Sequence, residues 1–303
     1  MRIIVLTKSD KHRFDRNGEE LPEGGFCVAG IDEETHEWVR LVGRHRHLKI
    51  TYAELRYENG EDCEPLDLIE VNGRFIDEDF LRNAPEAEYD YIKNSYVYDE
   101  ASQTWDMLHV QPENFLVDNR PFRLIDRYTI TELLEILPLE ERDYIFSNAE
   151  RSLSAADAIA NGHSLTIAKV DHLQLYPEKD DNDQYRAHYK ANFRYNGHTY
   201  EGITVTDPDY AAELTEYDEL FFGDTYMVIS VGEAFHERHY KLIAKIFEVV
   251  YMIPNNRLSY FHAYRDCRYL QNYQDNVTKA LIQEVESQGM TQCKECERRL
   301  FED

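Results

Sequence analysis

GGFCVAGIDEETHEWVRLV, residues Gly24–Val42, reads as a β-hairpin. Phe26 to Ile31 is a β-prone run edged by glycine, and Glu33-Glu34-Thr35-His36 is a polar tip. From Glu37 the chain alternates, which places Val39 and Leu41 on one face and Trp38, Arg40 and Val42 on the other. An indole and a guanidinium two residues apart on one face can stack on a flat ligand; they can equally be an edge contact.

Outward from this hairpin the first 125 residues are strand-rich. Met1–Lys8 carries the continuous apolar run Ile3-Ile4-Val5-Leu6, Pro65–Val71 alternates before the Asn72-Gly73 turn, and His109–Val117 is extended again. These segments predict a small β-barrel over residues 1–125, with an acidic insertion at Asp77–Tyr91. The period then changes. Ile130, Leu133, Leu134 and Leu137 lie at helical spacing with Thr131 as N-cap and Pro138 as stop. Further short helices are expected at Leu139–Ala149 and Ser154–Ala160, so residues 126–162 form a helical connector. Strands return at Leu165–Val170, Tyr185–Tyr195, His198–Val205, Thr225–Val231 and Lys241–Val250, with Asn196-Gly197 as a hairpin turn. They predict a second barrel over 163–252, and residues 253–303 remain as a tail.

The formal net charge of −26 opposes non-specific attraction to nucleic acid and suits a basic partner. It is uneven: residues 1–50 hold nine Lys/Arg against nine Asp/Glu, and residues 51–160 hold nine against twenty-six. The first fifty residues are therefore the least repulsive place for an anion. Five cysteines, three of them in the last 37 residues, do not form a secreted disulfide framework, and no window matches a membrane span; a cytoplasmic protein is expected.

The tail carries the strongest chemical signal. His262 and Cys267, followed by Cys293-Lys-Glu-Cys296, supply one imidazole and three thiols, a donor set suited to one tetrahedral zinc ion. Reduced thiols without metal and a redox pair are the alternatives. Arg265, Lys294, Arg298 and Arg299 are placed to offset thiolate charge, and Asn276–Gln288 reads as a helix ended by Gly289. So short a tail buries little core, and a structural metal explains its fold economically. His45 and His47 alternate, but no further ligand joins them.

A nucleic-acid groove can be drawn from Lys8, Lys11, Arg13, Trp38, Arg40, Arg44 and Arg46, which combine cations with an aromatic ring. In the second barrel Tyr189, Phe193, Tyr195 and Tyr200 are candidates for a stacking platform or for the core. Cys27 reads as buried filler and Cys63 as part of an acidic turn. There is no Gly-rich phosphate loop, no GxSxG and no HExxH, and no nucleophile or general base can be nominated.

The blocks GGFCVAGID, WVRLV, LDLIEV, QPENFLV, ITVTDPDY and VISVGEAF together resemble the dual OB-containing domain family over about residues 1–250. The resemblance implies two OB-like barrels in a prokaryotic protein, frequently of defence systems, that recognises nucleic acid. The stretch KALIQEVESQGMTQCKEC resembles the zinc modules of bacterial alkylated-DNA repair methyltransferases. It implies a zinc fold without methyl transfer, because His262 and Cys267 stand where that family has two cysteines. The expectation is thus a mainly β protein of two OB-like barrels, a helical connector and a small C-terminal zinc-binding α/β module. Its expected role is non-catalytic binding or sensing of nucleic acid, single-stranded rather than duplex, within a bacterial defence or DNA-processing system. The alternative is an acidic adaptor for a basic protein such as a nuclease or helicase.

Overall fold

The computed structural model describes residues 1–10, 25–43, 50–76, 97–99, 104–106, 113–118, 120–179, 185–210, 219–235, 238–254 and 260–300. The first barrel begins with β1 (Arg2–Asp10), β2 (Gly25–Asp32) and β3 (Trp38–Val42), consecutive antiparallel neighbours. β4 (Ile50–Thr51) pairs with β2 and leads into a one-turn helix, Tyr52–Leu55, capped by Thr51 and Glu54. β5 (Asp67–Glu70) pairs with β1, and β6 (Gly73–Phe75) follows across only two residues. A separate hairpin joins β7 (Val97–Asp99) to β8 (Thr104–Asp106). β9 (Asn114–Val117) lies parallel to β3 and antiparallel to β6. The near-continuous β5–β6 strand therefore pairs with β1 at its start and β9 at its end, and the barrel closes. β10 (Arg123–Arg127) adds to the edge of β5.

The connector is less helical than its sequence pattern. The Ile130–Ile136 helix forms, but its N-cap is Thr129, which exchanges hydrogen bonds with Glu132 in a capping box. Thr131 instead donates to the carbonyl of Lys279. No helix forms at Leu139–Ala149; the segment runs as turns along the second barrel, held by the amide of Glu140 on Ile167 and of Ile145 on the Tyr200 hydroxyl. β11 (Ser152–Ser154) then precedes the Ala155–Asn161 helix, which has Ser154 as N-cap and Gly162 at φ 73°.

The second barrel repeats the strand order of the first. β12 (Leu165–Lys179), β13 (Tyr185–Tyr195) and β14 (His198–Val205) are antiparallel neighbours, with positive φ at Asn196 and Gly197 in the β13–β14 turn. β15 (Leu220–Phe221) pairs with β12. β16 (Thr225–Phe235) pairs with both β12 and β17 (Arg238–Met252), and β17 lies parallel to β14. In each barrel the third strand (β3, β14) thus runs parallel to a closing strand (β9, β17), and the strand antiparallel to that one (β6 continuing β5, and β16) pairs back to the first, the order of an OB fold.

The cores explain the apolar runs. Ile3 and Val5 point into the first barrel, with Phe26, Val28, Val39 and Leu41. Ile4 and Leu6 point outward, where they join Ala29, Ile31, Leu165, Ile167, Tyr226, Val228, Ala244, Phe247 and Val249 in a cluster between the barrels. β1 is apolar at consecutive positions because both of its faces are covered. Ala168, Val170, Phe193, Tyr200, Ile229, Ile243 and Ile246 fill the second barrel. Cys63, read from the sequence as part of an acidic turn, is fully buried in the first core, while Cys27 is half-buried rather than core.

β18 (Tyr260–Phe261) and β20 (Thr291–Gln292) form a two-stranded parallel sheet in the tail, bounded by the 3₁₀ helix Arg268–Asn276 and the helices Ile282–Ser287 and Lys294–Leu300. The helix expected over Asn276–Gln288 is split. Its first part is β19 (Thr278–Leu281), which extends the sheet by pairing with Val249–Met252 of β17. The acidic stretch Asp77–Tyr91 lies outside the described residues.

Candidate metal centre and nucleic-acid face

Local structure brings His262, Cys267, Cys293 and Cys296 together from three separate pieces of chain. His262 follows β18 and is clamped by reciprocal amide–carbonyl bonds with Tyr251 at the end of β17. Cys267 lies in a turn whose amide donates to Tyr264 and whose carbonyl accepts from Leu270. Cys293 leaves β20 with its amide on the carbonyl of Phe261, and Cys296 follows in the first turn of the Lys294–Leu300 helix. All four side chains are buried, and their ligand atoms lie within 4.8 Å of one another. His262 Nδ1 is 3.3 Å from Cys267 Sγ and 3.8 Å from Cys296 Sγ. A tetrahedral ion with Zn–S near 2.3 Å and Zn–N near 2.0–2.1 Å sets its ligands about 3.5–3.8 Å apart, so the donor set fits one metal ion.

Burial raises the thiols of Cys267 and Cys296, the latter to about 12, and lowers the imidazole of His262. Without a cation these groups favour their neutral forms; a thiophilic dication would displace the thiol protons on binding. Of the residues expected to offset thiolate charge, Arg299 holds Asp266 at 2.6 Å and Arg298 holds Glu295 at 3.4 Å, whereas Arg265 donates to the carbonyl of Gln274 at 2.9 Å and lies 5.9 Å from the ring centroid of Tyr251. The remaining cover is apolar, from Tyr251, Ala263 and Leu270.

Of the groove drawn over the first fifty residues, Lys8, Trp38 and Arg40 lie among the described residues. Arg40 is 8% exposed. Its Nη2 donates to Ser164 Oγ of the second barrel at 3.0 Å, and Ser164 Oγ donates to Glu113 Oε1 at 2.6 Å. Trp38 packs against the cluster between the barrels. The second barrel lies on the outer face of β2 and β3, so the Arg40 guanidinium is buried and the Trp38 ring is half-buried. The same cover makes β1 apolar throughout. Lys8 is held by Glu64 and sits 5.7 Å from the centroid of Phe26. Lys11, Arg13, Arg44 and Arg46, with His45 and His47, lie outside the described residues. Phe193, Tyr195 and Tyr200 are core, with Phe193 and Tyr200 stacked at 4.9 Å, and Tyr189 packs partly buried against them; they form no platform.

The corresponding face of the second barrel is open. Along β13 the residues between the inward ones are Lys190, Asn192 and Arg194, all at least partly exposed, and Tyr176 of β12 and Thr204 of β14 lie half-buried beside them. Lys190 Nζ donates to Thr204 Oγ1 at 2.8 Å and lies 3.7 Å from Glu178. Asn192 accepts from the amide of Gly202, whose φ of 67° suits glycine, and donates to Gln174. The sequence signal for this face is the alternation of Lys190, Asn192 and Arg194 with Ala191, Phe193 and Tyr195, and the aromatic half of that pattern lies in the core.

No helix among the described residues is long and apolar enough to cross a membrane. No curated protein and no solved structure matches the chain. The family model described as the dual OB-containing domain matches residues 1–86 and 97–246, and the metal centre follows that match. With two barrels of one strand order and a match over most of its length, the chain belongs to the dual OB-containing domain family.

Proposed function

We propose that the protein binds nucleic acid without catalysis, through the outer face of β12, β13 and β14. The observation that carries this reading is the asymmetry of the two barrels. An OB fold presents ligands to the face around its second and third strands. In the first barrel that face is packed against the second, and in the second it is open and lined by Lys190, Asn192, Arg194, Thr204 and Tyr176. This face carries Lys190 and Arg194 beside the carboxylates of Glu178 and Glu201, with amides and one tyrosine; cations to meet phosphates and a ring to meet unpaired bases make single strands the expected ligand. The metal is zinc in a structural role, because three thiols and one imidazole buried together close a tetrahedral shell. A place within a bacterial defence or DNA-processing system belongs to the same reading and draws on the family resemblance.

Fluorescence anisotropy with a labelled oligonucleotide tests it. Replacing Lys190 and Arg194 by Ala is expected to weaken binding and reduce the salt slope by about one unit per lost phosphate contact, while Arg40→Ala leaves the slope unchanged. Equal slopes in all three proteins would sink the assignment of this face. The net charge of −26 favours a second reading, an acidic adaptor for a basic protein. It predicts no oligonucleotide binding at moderate salt and retention of a basic partner.

A further inference from the structure

Exposed large apolar side chains are few among the described residues, and three of them are tyrosines of the metal-centred tail: Tyr260 at 46%, Tyr269 at 55% and Tyr273 at 48% exposure. Tyr269 and Tyr273 belong to the segment Arg268–Asn276, two short 3₁₀ pieces that meet in a kink at Tyr273 (φ −127°, ψ 21°), where Leu270 alone is buried and anchors the segment against the metal centre. The segment thus presents Arg268, two phenol rings, Gln271, Asn272, Gln274, Asp275 and Asn276 to solvent. The fold does not require rings there, since no core cluster contains them. Tyr269 is also held in place: the Arg268 guanidinium lies 5.0 Å from its centroid, and Arg268 Nη2 reaches the Tyr269 hydroxyl at 3.3 Å and Glu295 at 3.1 Å.

The charge of the tail differs from that of residues 51–252, which hold 17 Lys/Arg against 42 Asp/Glu. Residues 253–303 hold seven Lys/Arg against eight Asp/Glu, so nearly all of the net −26 lies elsewhere. A polyanion repelled by the bulk of the protein meets a nearly neutral surface at the tail. Rings in such a surface bind bases by stacking, which needs no excess of positive charge, and side-chain amides can meet exposed base edges.

We infer that the segment Arg268–Asn276 is a second contact surface for single-stranded nucleic acid, with Tyr269 and Tyr273 stacking on unpaired bases. This rests on the nucleic-acid reading above and assigns the metal centre a further task, holding that segment rigid.

The test uses the full-length, metal-loaded chain and a labelled oligothymidine of about twenty nucleotides. Tyr269→Ala with Tyr273→Ala is expected to lower affinity by about five-fold or more for each ring, with an unchanged salt slope, because stacking releases no counterions. Tyr269→Trp with Tyr273→Trp should retain or raise affinity. Metal content equal to that of the wild type shows that the segment has kept its fold. Loss of affinity in the Lys190→Ala, Arg194→Ala protein but not in the double-tyrosine variant would overturn the stacking segment and leave the barrel reading standing. A wild-type chain that binds no oligonucleotide would overturn both.

Discussion

The two barrels share one strand order and differ in what covers them. In the first, the outer face of β1 to β3 is apolar and buried, with Ile4, Leu6, Ala29 and Ile31 against the second barrel. In the second, the outer face of the matching strands is polar and solvent-facing, with Lys190, Asn192 and Arg194 on β13. The contact between the barrels instead uses other surfaces of the second, from β16 and β17 and the start of β12. The arrangement is not symmetric: the outer face of β2 and β3 is taken up by the contact, and that of β13 is left exposed. Duplicating a fold therefore need not duplicate its exposed faces.

The largest test of this asymmetry concerns the metal centre, which is attached to the second barrel. β19 pairs with the end of β17, Asp224 donates its amide to Ala263, and Gly223 packs so closely on Ala263 that a Cβ there would lie 2.3 Å from its carbonyl oxygen. Structural zinc contributes on the order of 10 kcal/mol to folding in small modules. Replacing Cys293 and Cys296 by Ser should abolish metal binding and speed amide exchange in Val249–Met252 and Thr278–Leu281, while Ile3–Leu6 and Val28–Ile31 keep their protection. Faster exchange throughout both barrels would show that the metal supports the whole chain rather than one end of it.

A reciprocal swap probes the two faces next. Ile31 and Arg194 are each the penultimate residue of the second strand of their barrel, two residues before the hairpin tip, one buried and one exposed. Ile31→Arg puts an unpaired cation into the contact between the barrels and should cost more than about 4 kcal/mol, or prevent folding. Arg194→Ile should stay within about 0.5 kcal/mol. Denaturant unfolding measures both. Similar costs would mean that the faces are not differently covered.

The barrels and the metal ligands were legible in the sequence for local reasons. Asn196-Gly197 announces its hairpin because both residues accept positive φ, and His262, Cys267, Cys293 and Cys296 are recognisable as a donor set from residue type and spacing. Three readings failed because they depended on contacts distant in the chain. The alternation of β3 correctly grouped Trp38 with Arg40, but nothing local says that Ser164, 124 residues away, will meet that guanidinium. Thr278–Leu281 has the apolar spacing of a helix and becomes a strand because β17 offers it an edge. Leu139–Ala149 stays irregular because Tyr195, Tyr200 and Asn196 of the second barrel take up its backbone groups through side chains.

The smallest expected effect separates the barrels by pH, since their last strands differ in charge as well as length. β9 is four buried residues, whereas β17 carries Lys241, Lys245 and Glu248. Burial, with Glu286 nearby, raises the Glu248 carboxyl to about 7. The folded protein then holds this proton where the unfolded chain has lost it, so stability from this group is complete below the ordinary carboxylate range and declines as pH rises toward 7. Burial lowers Lys241 to about 8, where its ammonium donates to Asn148. For Lys241 the sign reverses: the folded state releases its proton first, and stability rises with pH from about 8 toward the ordinary lysine range. Glu248→Gln should therefore stabilise the protein by about 1–3 kcal/mol at pH 8 and by little at pH 4.5. Unfolding of the variant and the wild type at both values decides the matter. A gain of the same size at both would assign the effect to packing rather than ionisation, and slower exchange at pH 8 confined to β16 and β17 would place the titration in the barrel that keeps its outer face open.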